Sequence, residues 1–157
     1  MTEKTASVHW DGQGKTGTGA ISTETGALSH APYGFGSRFG EERRNTNPEE
    51  LLGAAHAACF TMAFSFAAEK AGLTITEIET TASVRLVTQG EGFLIDRIAL
   101  TLLVTGTDVD PARFHQIAEG AKRDCPLSKA LASVPEITLE ASLREEPAAI
   151  SKAGLFP

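Results

Sequence analysis

The two cysteines, Cys59 and Cys125, are the residues of this chain best suited to redox chemistry. Cys59 lies in NPEELLGAAHAACF, which predicts a helix, and Cys125 directly precedes Pro126 at the predicted start of another helix. Backbone N–H groups at a helix start favour a thiolate, so Cys125 has a local source of activation. Cys59 is about three turns into its helix, so its activation would need a cation supplied by another part of the fold.

The segment upstream of Cys59 could supply that cation. Residues 28–47 are predicted to form a long loop, punctuated by Pro32 and several glycines, that carries Arg38, Arg43 and Arg44. Arginine suits the task because it stays charged and donates hydrogen bonds in a planar fork. Long loops without regular structure are uncommon and often functional. The residues alone leave two interpretations open: inert cysteines packed in a core, or a redox pair.

The cysteine motifs resemble those of a known family. The run NPEELLGAAHAACF, followed later by DCPLSKAL, is similar to the osmotically inducible protein C (OsmC) family, which is related to the organic hydroperoxide resistance (Ohr) proteins. The loop PYGFGSRF and the early HWDGQGKTGTG also resemble the OsmC branch. The resemblance extends from about Val8 to Leu143, which is nearly the whole chain.

The resemblance implies a thiol peroxidase that reduces organic hydroperoxides without a metal or an organic cofactor. By its motif, Cys59 would be the peroxidatic cysteine and Cys125 the resolving one. Arg38 matches the family's thiolate-stabilising arginine and Glu49 its partner glutamate. Cys59 would pass through a sulfenic acid and then form a disulfide with Cys125, which a dithiol, expected to be of the lipoyl type, would reduce.

The position of Glu49 raises a geometric question. If its helix ran straight from Pro48, Glu49 would lie about 15 Å from Cys59 along the axis. A glutamate and an arginine side chain together span only about half of that distance. Members of the family are intertwined homodimers with sites at the interface, so we expect the Arg38–Glu49 pair to serve Cys59 of the partner subunit. A bend in the chain before about Leu51 is the alternative.

Other residues could contact the site. Glu50 could exchange roles with Glu49, although a solvated acid is the simpler interpretation. His56 lies three residues before Cys59, on nearly the same helix face, and the two could join Cys125 as three ligands of a zinc site. We expect His56 instead to be a core residue or a neighbour of the site. Six aromatic residues are most simply explained by packing in the core or the loop, and some of them could instead line an apolar substrate pocket: Trp10, Tyr33, Phe35, Phe39, Phe64 and Phe66. Those in the loop, Tyr33, Phe35 and Phe39, are the candidates for contact with the site.

The pattern of apolar residues predicts an α+β fold with antiparallel sheet and helices on one face. The predicted elements, in chain order, are strands at 6–10 and 16–23, a helix at 48–71, strands at 77–87 and 93–105, helices opening at Pro111 and at Pro126 (the latter through Ala132), and a strand at 136–144.

The helix that carries Cys59 is apolar nearly all the way round, so we expect it to be wrapped by sheet, by another subunit, or by both. The family implies antiparallel sheets around long central helices in an intertwined homodimer. We expect one OsmC-like domain over residues 1–157, with residues 147–157 as a tail beyond the resemblance.

The composition and charge of the chain argue against some classes of binding partner. A net charge of −6 and a pI near 5.2 argue against nucleic acid or anionic lipid. The N-terminus has no apolar signal-peptide core, no apolar stretch is expected to span a membrane, and two cysteines are too few for a secreted disulfide scaffold. We therefore expect a cytoplasmic protein. Two alternatives to the peroxidase remain: a redox-sensing or ligand-binding protein that uses the same pocket without turnover, and a zinc-binding structural module.

Overall fold

A computed structural model describes residues 1–107 and 110–144 of the chain. The chain divides into two compact units, Met1–Leu52 and Gly53–Pro157. The boundary falls inside one continuous helix, Pro48–Lys70. The expectation of one domain stays a prediction, and the predicted tail at 147–157 lies outside the described residues.

The first unit contains a three-stranded antiparallel sheet. Its strands are β1 (Ala6–Asp11), β2 (Thr18–Thr23) and β3 (Ala31–Gly34), in the order β1-β2-β3. The first two form the hairpin that the alternating runs predicted. A glycine in β2, Gly19, pairs with Trp10 on one side and Tyr33 on the other. A side chain at Gly19 would collide with the Tyr33 ring, so glycine allows the two aromatic rings to approach to 5.4 Å between centroids.

The segment predicted as an unstructured loop contains β3 and a short helix, α1 (Phe35–Phe39). Proline is tolerated in β3 because this strand lies at the edge of the sheet. Ser37 fixes the start of α1: its hydroxyl accepts a hydrogen bond from Gly34 N–H at 3.0 Å and donates to Gly34 O at 3.1 Å. These elements are too short to give a periodic signal, which is why the sequence pattern missed them.

The helix that carries Cys59 is α2 (Pro48–Lys70), close to the predicted 48–71. Asn47 Oδ1 accepts a hydrogen bond from Glu50 N–H at 2.8 Å, which confirms its role as the N-cap. After the helix, Gly72 adopts a φ of 72°, and Leu73 N–H donates to Ala68 O at 3.0 Å. This is a Schellman-type stop, for which a left-handed glycine is favoured.

The second unit contains a three-stranded mixed sheet. Its strands are β4 (Thr74–Gln89), β5 (Gly92–Thr107) and β6 (Glu136–Arg144), in the order β4-β5-β6. The first two form the predicted antiparallel hairpin. β6 pairs parallel to β5, with Arg97 opposite Glu136, so the expectation of purely antiparallel sheets is wrong for this strand. Parallel pairing follows because helices carry the chain back to the start of β5 before β6 begins.

That crossover contains α3 (Pro111–Asp124) and α4 (Pro126–Ala130). Asp110 is the N-cap of α3 and accepts a hydrogen bond from Arg113 N–H at 2.8 Å. The helix predicted to run from Pro126 to Ala132 ends two residues earlier than expected. Between Ala130 and β6 the chain makes turns that deliver it to the sheet.

The core of the second unit lies between α2, α3 and one face of the sheet. The rings of Phe64 and Phe114 meet edge to face, with centroids 5.8 Å apart. Burying each large apolar side chain stabilises the fold by about 1.5–3 kcal/mol relative to leaving it exposed. The buried residues that form this cluster are Phe60, Phe64, Ala68, Leu100, Leu102, Val104, Phe114, Ala118, Ala121 and Cys125.

The opposite face of α2 is exposed in the single chain. Met62 is 61% exposed and Phe66 is 64% exposed. Contrary to the expectation from sequence, α2 is long and apolar enough to cross a membrane by length and composition alone, the one such helix in the described part of the chain. Core helices of soluble proteins pass the same test, and α2 contributes Phe60 and Phe64 to the core just described.

Candidate active site

The two cysteines lie together in the second unit. Cys125 Sγ and Cys59 Sγ are 3.3 Å apart, and both residues are free thiols. Cys125 is fully buried, whereas Cys59 is partly exposed. This pairing brings together two of the predicted site residues at a distance suited to reaction between their sulfur atoms.

Cys125 owes its position to the junction of α3 and α4. Its backbone N–H donates to Ala121 O at 2.8 Å, which ends α3, and its carbonyl accepts from Lys129 N–H at 3.0 Å, which starts α4. Pro126 follows as the first residue of α4 and cannot extend α3, because it has no N–H to donate. The cysteine backbone is therefore held from both sides.

The surroundings of Cys125 favour its thiolate. Burial acts to raise the pKa of Cys125, but the backbone N–H of Ser128, the Cys59 thiol and the Ser128 hydroxyl outweigh it, and the pKa is lowered. Cys125 makes no standard capping hydrogen bond through its side chain. The effect therefore comes from several polar groups near the sulfur rather than from one ideal contact.

The surroundings of Cys59 have the opposite effect. Burial raises the pKa of Cys59, and the neighbouring Cys125 raises it further, while the backbone N–H of Leu127 only partly offsets both. Within this single chain the thiolate is therefore favoured on Cys125. The expectation that a cation brought by another part of the fold activates Cys59 stays a prediction.

Arg38 and Glu49 form an ion pair within the first unit. Arg38 Nη2 donates to Glu49 Oε1 at 2.7 Å, and Arg38 Nε lies 3.1 Å from the same oxygen. The Glu49 side chain is 11% exposed and that of Arg38 is 37% exposed. Because Nη2 and Nε of Arg38 both donate to one carboxylate, the orientation of the guanidinium is fixed. Its remaining N–H groups do not bond to Glu49.

The other predicted site residues of the first unit differ in what they contact. Arg38 lies over the Phe39 ring at 5.1 Å from its centroid, and Phe39 packs against Phe35 at 4.9 Å. Tyr33 packs on Trp10, as described above. Glu50 is exposed and accepts a hydrogen bond from Thr46 at 3.3 Å. The glutamate that pairs with Arg38 in the structure is therefore Glu49, whereas Glu50 is bonded to Thr46.

His56 is a fully buried residue of α2. Its Nε2 lies 2.8 Å from Ser128 Oγ, while Nδ1 has no hydrogen-bond partner among the described residues. Burial lowers the pKa of His56, so the imidazole is neutral at neutral pH. Of the two expected placements, the core position is confirmed, and the contact with Ser128 also connects His56 to the neighbourhood of Cys125.

Comparison with known proteins decides the family. The family model described as "OsmC-like protein" matches residues 40–140. The chain belongs to the OsmC family. It is 48% identical over 141 residues to the protein named Peroxiredoxin OsmC of Escherichia coli K12, covering 90% of this chain and 96% of that one.

More distant relatives agree with this assignment. The protein named organic hydroperoxide resistance protein OhrB of Bacillus subtilis is 34% identical over 101 residues, covering 64% of this chain and 72% of OhrB. The crystal structure of OhrB matches this chain with a TM-score of 0.63 at 28% identity, covering 89% of this chain and 98% of OhrB. The resemblance in the cysteine motifs and the α+β fold are thus confirmed.

The zinc interpretation lacks a ligand set. Across residues 1–107 and 110–144, no group of three or more His, Cys, Asp or Glu side chains is placed to hold a metal ion. His56 contacts a serine hydroxyl instead of a third sulfur or nitrogen ligand.

One neighbour of the OsmC-family cysteines escaped the sequence analysis. Ser128 contacts His56 and helps to lower the pKa of Cys125. It entered the sequence analysis only as part of the motif DCPLSKAL and was given no role. Its spacing was an available signal, because a serine three residues after an N-cap faces the side chain of the cap.

Proposed function

We propose that this protein reduces organic hydroperoxides to alcohols through Cys59, with Cys125 as the resolving residue. It is a thiol-dependent peroxidase of the OsmC family. The observation that carries the proposal is the 3.3 Å separation of the two free sulfur atoms. The printed names of the relatives, peroxiredoxin and organic hydroperoxide resistance protein, support the class of substrate.

The cycle has three steps. The Cys59 thiolate attacks one peroxide oxygen, the O–O bond breaks, and the alkoxide takes a proton to leave as the alcohol, so that Cys59 becomes a sulfenic acid. Cys125 attacks the Cys59 sulfur and expels the oxygen, which leaves as water. A dithiol then reduces the disulfide by two successive exchanges and is itself oxidised to a disulfide. We take the dithiol to be of the lipoyl type.

Arg38 has two tasks in this scheme. Its charge stabilises the thiolate of Cys59. This offsets burial and the neighbouring Cys125, which both raise the pKa of Cys59. A lower thiolate pKa also reduces nucleophilicity, so Arg38 must in addition polarise the peroxide oxygen that leaves. Glu49 orients the guanidinium through the ion pair described above.

We propose that this pair acts on Cys59 of the partner subunit. In support, α2 is continuous over Pro48–Lys70, and ten residues of helix rise separate Glu49 from Cys59 by about 15 Å along the axis. The exposed apolar side chains of Met62 and Phe66 support a homodimer with α2 at its interface. A cytoplasmic location remains part of the proposal.

The decisive experiment compares Cys59→Ser and Cys125→Ser with the wild type. Stopped-flow mixing with cumene hydroperoxide, tert-butyl hydroperoxide or hydrogen peroxide gives rates, and intact mass reports the sulfenate and disulfide states. We expect faster reaction with the organic peroxides, no oxidation of Cys59→Ser, and a sulfenate without disulfide in Cys125→Ser. Full turnover by Cys59→Ser with a dithiol would disprove the proposal.

A second candidate function is redox sensing without turnover. It is favoured by one observation: the two thiols lie 3.3 Å apart, so a single oxidation would leave a disulfide that could itself serve as the signal. The same mixing experiment separates the two functions. A sensor would consume one equivalent of peroxide per chain and stop, even with excess dihydrolipoamide present, whereas an enzyme would cycle.

A further inference from the structure

The two cysteines of the site differ in how far an outside reagent can reach them. Cys125 is 0% exposed and belongs to the buried cluster that also contains Phe60 and Ala121. Cys59 is partly exposed. A reagent can therefore approach Cys59 from solvent, whereas it must displace packed side chains to approach Cys125.

Cys59 lies at the border between the exposed face of α2 and the core. Ala55 and Met62, four residues before it and three residues after it, are both exposed, and residues at these spacings share one face of a helix. The next residue, Phe60, is fully buried. The proposed function requires a peroxide to reach Cys59, so this approach has to stay open in the dimer as well.

We propose that the reductant attacks the sulfur of Cys59 in the oxidised protein and that Cys125 is the leaving group. The proposal rests on the function proposed above, because the dithiol acts on the disulfide that this function forms. In thiol–disulfide exchange the attacking sulfur lies in line with the bond that breaks, so access to the attacked atom decides which exchange occurs. Only at Cys59 does this approach begin in solvent. Cys59 is then the reacting atom towards both the peroxide and the reductant.

The backbone hydrogen bonds of Cys125 keep it in the interior in the oxidised protein too. Its N–H donates to Ala121 O at 2.8 Å, and its carbonyl accepts from Lys129 N–H at 3.0 Å. The sulfur atoms, 3.3 Å apart, need to approach by only about 1 Å to form a bond of about 2.05 Å. Disulfide formation therefore does not require Cys125 to leave its buried position.

The properties of the leaving group favour the same direction of attack. In thiol–disulfide exchange the thiol with the lower pKa leaves more readily. Burial acts to raise the pKa of both thiols, but the backbone N–H of Ser128 and other polar neighbours lower the pKa of Cys125, whereas the pKa of Cys59 is raised. Expulsion of Cys125 is therefore the easier of the two possible exchanges.

The two exchanges balance as follows. One thiolate of the dithiol forms a bond to the Cys59 sulfur, and the bond between Cys59 and Cys125 breaks with its electron pair on Cys125. The second thiolate of the dithiol then attacks the reductant sulfur that is bound to Cys59, which closes the disulfide of the reductant. Cys59 leaves as a thiolate. The dithiol has lost two protons and two electrons, and the protein disulfide has been reduced.

The test maps the cysteine to which a thiol first attaches. Oxidised protein, prepared with one equivalent of cumene hydroperoxide per chain, is mixed with mercaptoethanol, a monothiol that has no second sulfur to complete the cycle. Early samples are quenched in acid, before Cys125 can attack the mixed disulfide and expel the probe. The samples are then unfolded and the released protein thiol is capped with N-ethylmaleimide. Peptide mass spectrometry gives the amount of mercaptoethanol on each cysteine.

The matched control is the same oxidised protein in urea, where neither cysteine is buried. We expect at least about tenfold more mercaptoethanol on Cys59 than on Cys125 in the folded protein, and amounts within about twofold of each other in urea. A majority of the probe on Cys125 of the folded protein would overturn the proposal. The same ratio in folded and unfolded protein would also overturn it, because the preference would not come from the fold.

Failure of the proposed function gives a different result. Cumene hydroperoxide would then leave both thiols reduced, and no disulfide would be present to map. In that case the disulfide is made with diamide, which oxidises a pair of thiols without a peroxide, and the position of the probe is determined in the same way. The assignment of Cys59 as the attacked sulfur is therefore tested whether or not the protein reduces peroxides.

Discussion

Cys59 Sγ and Cys125 Sγ lie 3.3 Å apart although 66 residues separate them in sequence. A disulfide bond is about 2.05 Å long, so the two atoms need to approach by only about 1 Å to be joined. One sulfur is on a long helix and the other at the junction of two helices, so both backbones are held by regular hydrogen bonds. The two sulfur atoms of the reduced chain are therefore already placed for a disulfide bond between them.

Because the two sulfur atoms are so close, the ionisation of each thiol depends on the other. Replacing one cysteine should therefore shift the pKa of the remaining thiol, and the two replacements should give shifts of opposite sign. Cys125→Ala should lower the pKa of Cys59, because Cys125 and its negative charge raise it, although the larger effect of burial remains. Cys59→Ala should raise the pKa of Cys125, because the thiol of Cys59 helps to stabilise the Cys125 anion. Titration of the thiolate by ultraviolet absorbance measures both. Shifts of the same sign would contradict the coupling described here.

The Arg38–Glu49 pair is predicted to govern the first chemical step. Arg38→Met should lower the second-order rate constant for Cys59 oxidation by roughly 10²–10³-fold, the usual effect of removing a donor that stabilises developing charge. Arg38→Lys should recover only part of this, because a lysine cannot place two donors on Glu49 and still reach the peroxide. Stopped-flow oxidation of the reduced protein provides the measurement.

A matched control exists on the exposed surface of the β4–β5 hairpin. Arg85 and Asp96 form an ion pair of the same length, 2.7 Å, with two donors on one carboxylate. Arg85→Met removes an equal charge and an ion pair of the same length at a site that holds no cysteine. Its oxidation rate should equal that of wild type. If both arginine variants were slowed alike, net charge rather than the placement of Arg38 would be the cause.

The parts of the fold predicted from sequence are those with a long repeating pattern. Alternation in β4 and β5 and the capped start of α2 are local signals, and both elements are present. The direction of β6 is not local, because the same alternating residues fit a parallel or an antiparallel neighbour. The pairing is set instead by where the preceding helices return the chain.

The site was predictable to the extent that its residues carry a motif. The cysteines and the Arg38–Glu49 pair were anticipated, and the structure places each pair in contact. The contact of His56 with Ser128 joins residues 72 positions apart and depends on how α4 packs against α2, which no spacing in the sequence encodes. For the same reason, the raised pKa of Cys59 became apparent only with its burial.

Burial of His56 should make stability depend on pH. Its pKa is lowered in the folded state, so below the ordinary histidine value of about 6.5 the unfolded chain binds more protons than the folded one. The contribution of His56 is therefore complete above that pH and is lost as the pH falls from it towards the lower pKa of the folded state, with a slope of at most about 1.4 kcal/mol per pH unit. Urea unfolding of the reduced protein gives the free energy of unfolding at each pH.

Carboxylates titrate in an adjacent pH range and also change the stability. Comparing wild type with His56→Gln separates the effect of His56 from theirs, because the carboxylates are the same in both proteins. Glutamine does not titrate, so the difference in unfolding free energy between wild type and variant should shift in favour of the variant as the pH falls from about 7.5 to about 5.5. Parallel stability curves over that range would mean that the folded and unfolded chains protonate His56 equally, contrary to its burial.

The exposed apolar face of α2 is predicted to be the dimer interface. Met62 and Phe66 lie one turn apart and are each more than 60% exposed in the single chain, which is unfavourable unless a partner covers them. The double variant Met62→Lys/Phe66→Lys should therefore dissociate into monomers in sedimentation equilibrium, while Glu69→Lys, which places the same charge at an already polar exposed position of α2, should remain dimeric. If Arg38 serves the partner's Cys59, the dissociated variant should also lose rapid oxidation by cumene hydroperoxide. A monomeric variant that reacts as fast as wild type would show that each chain supplies its own arginine.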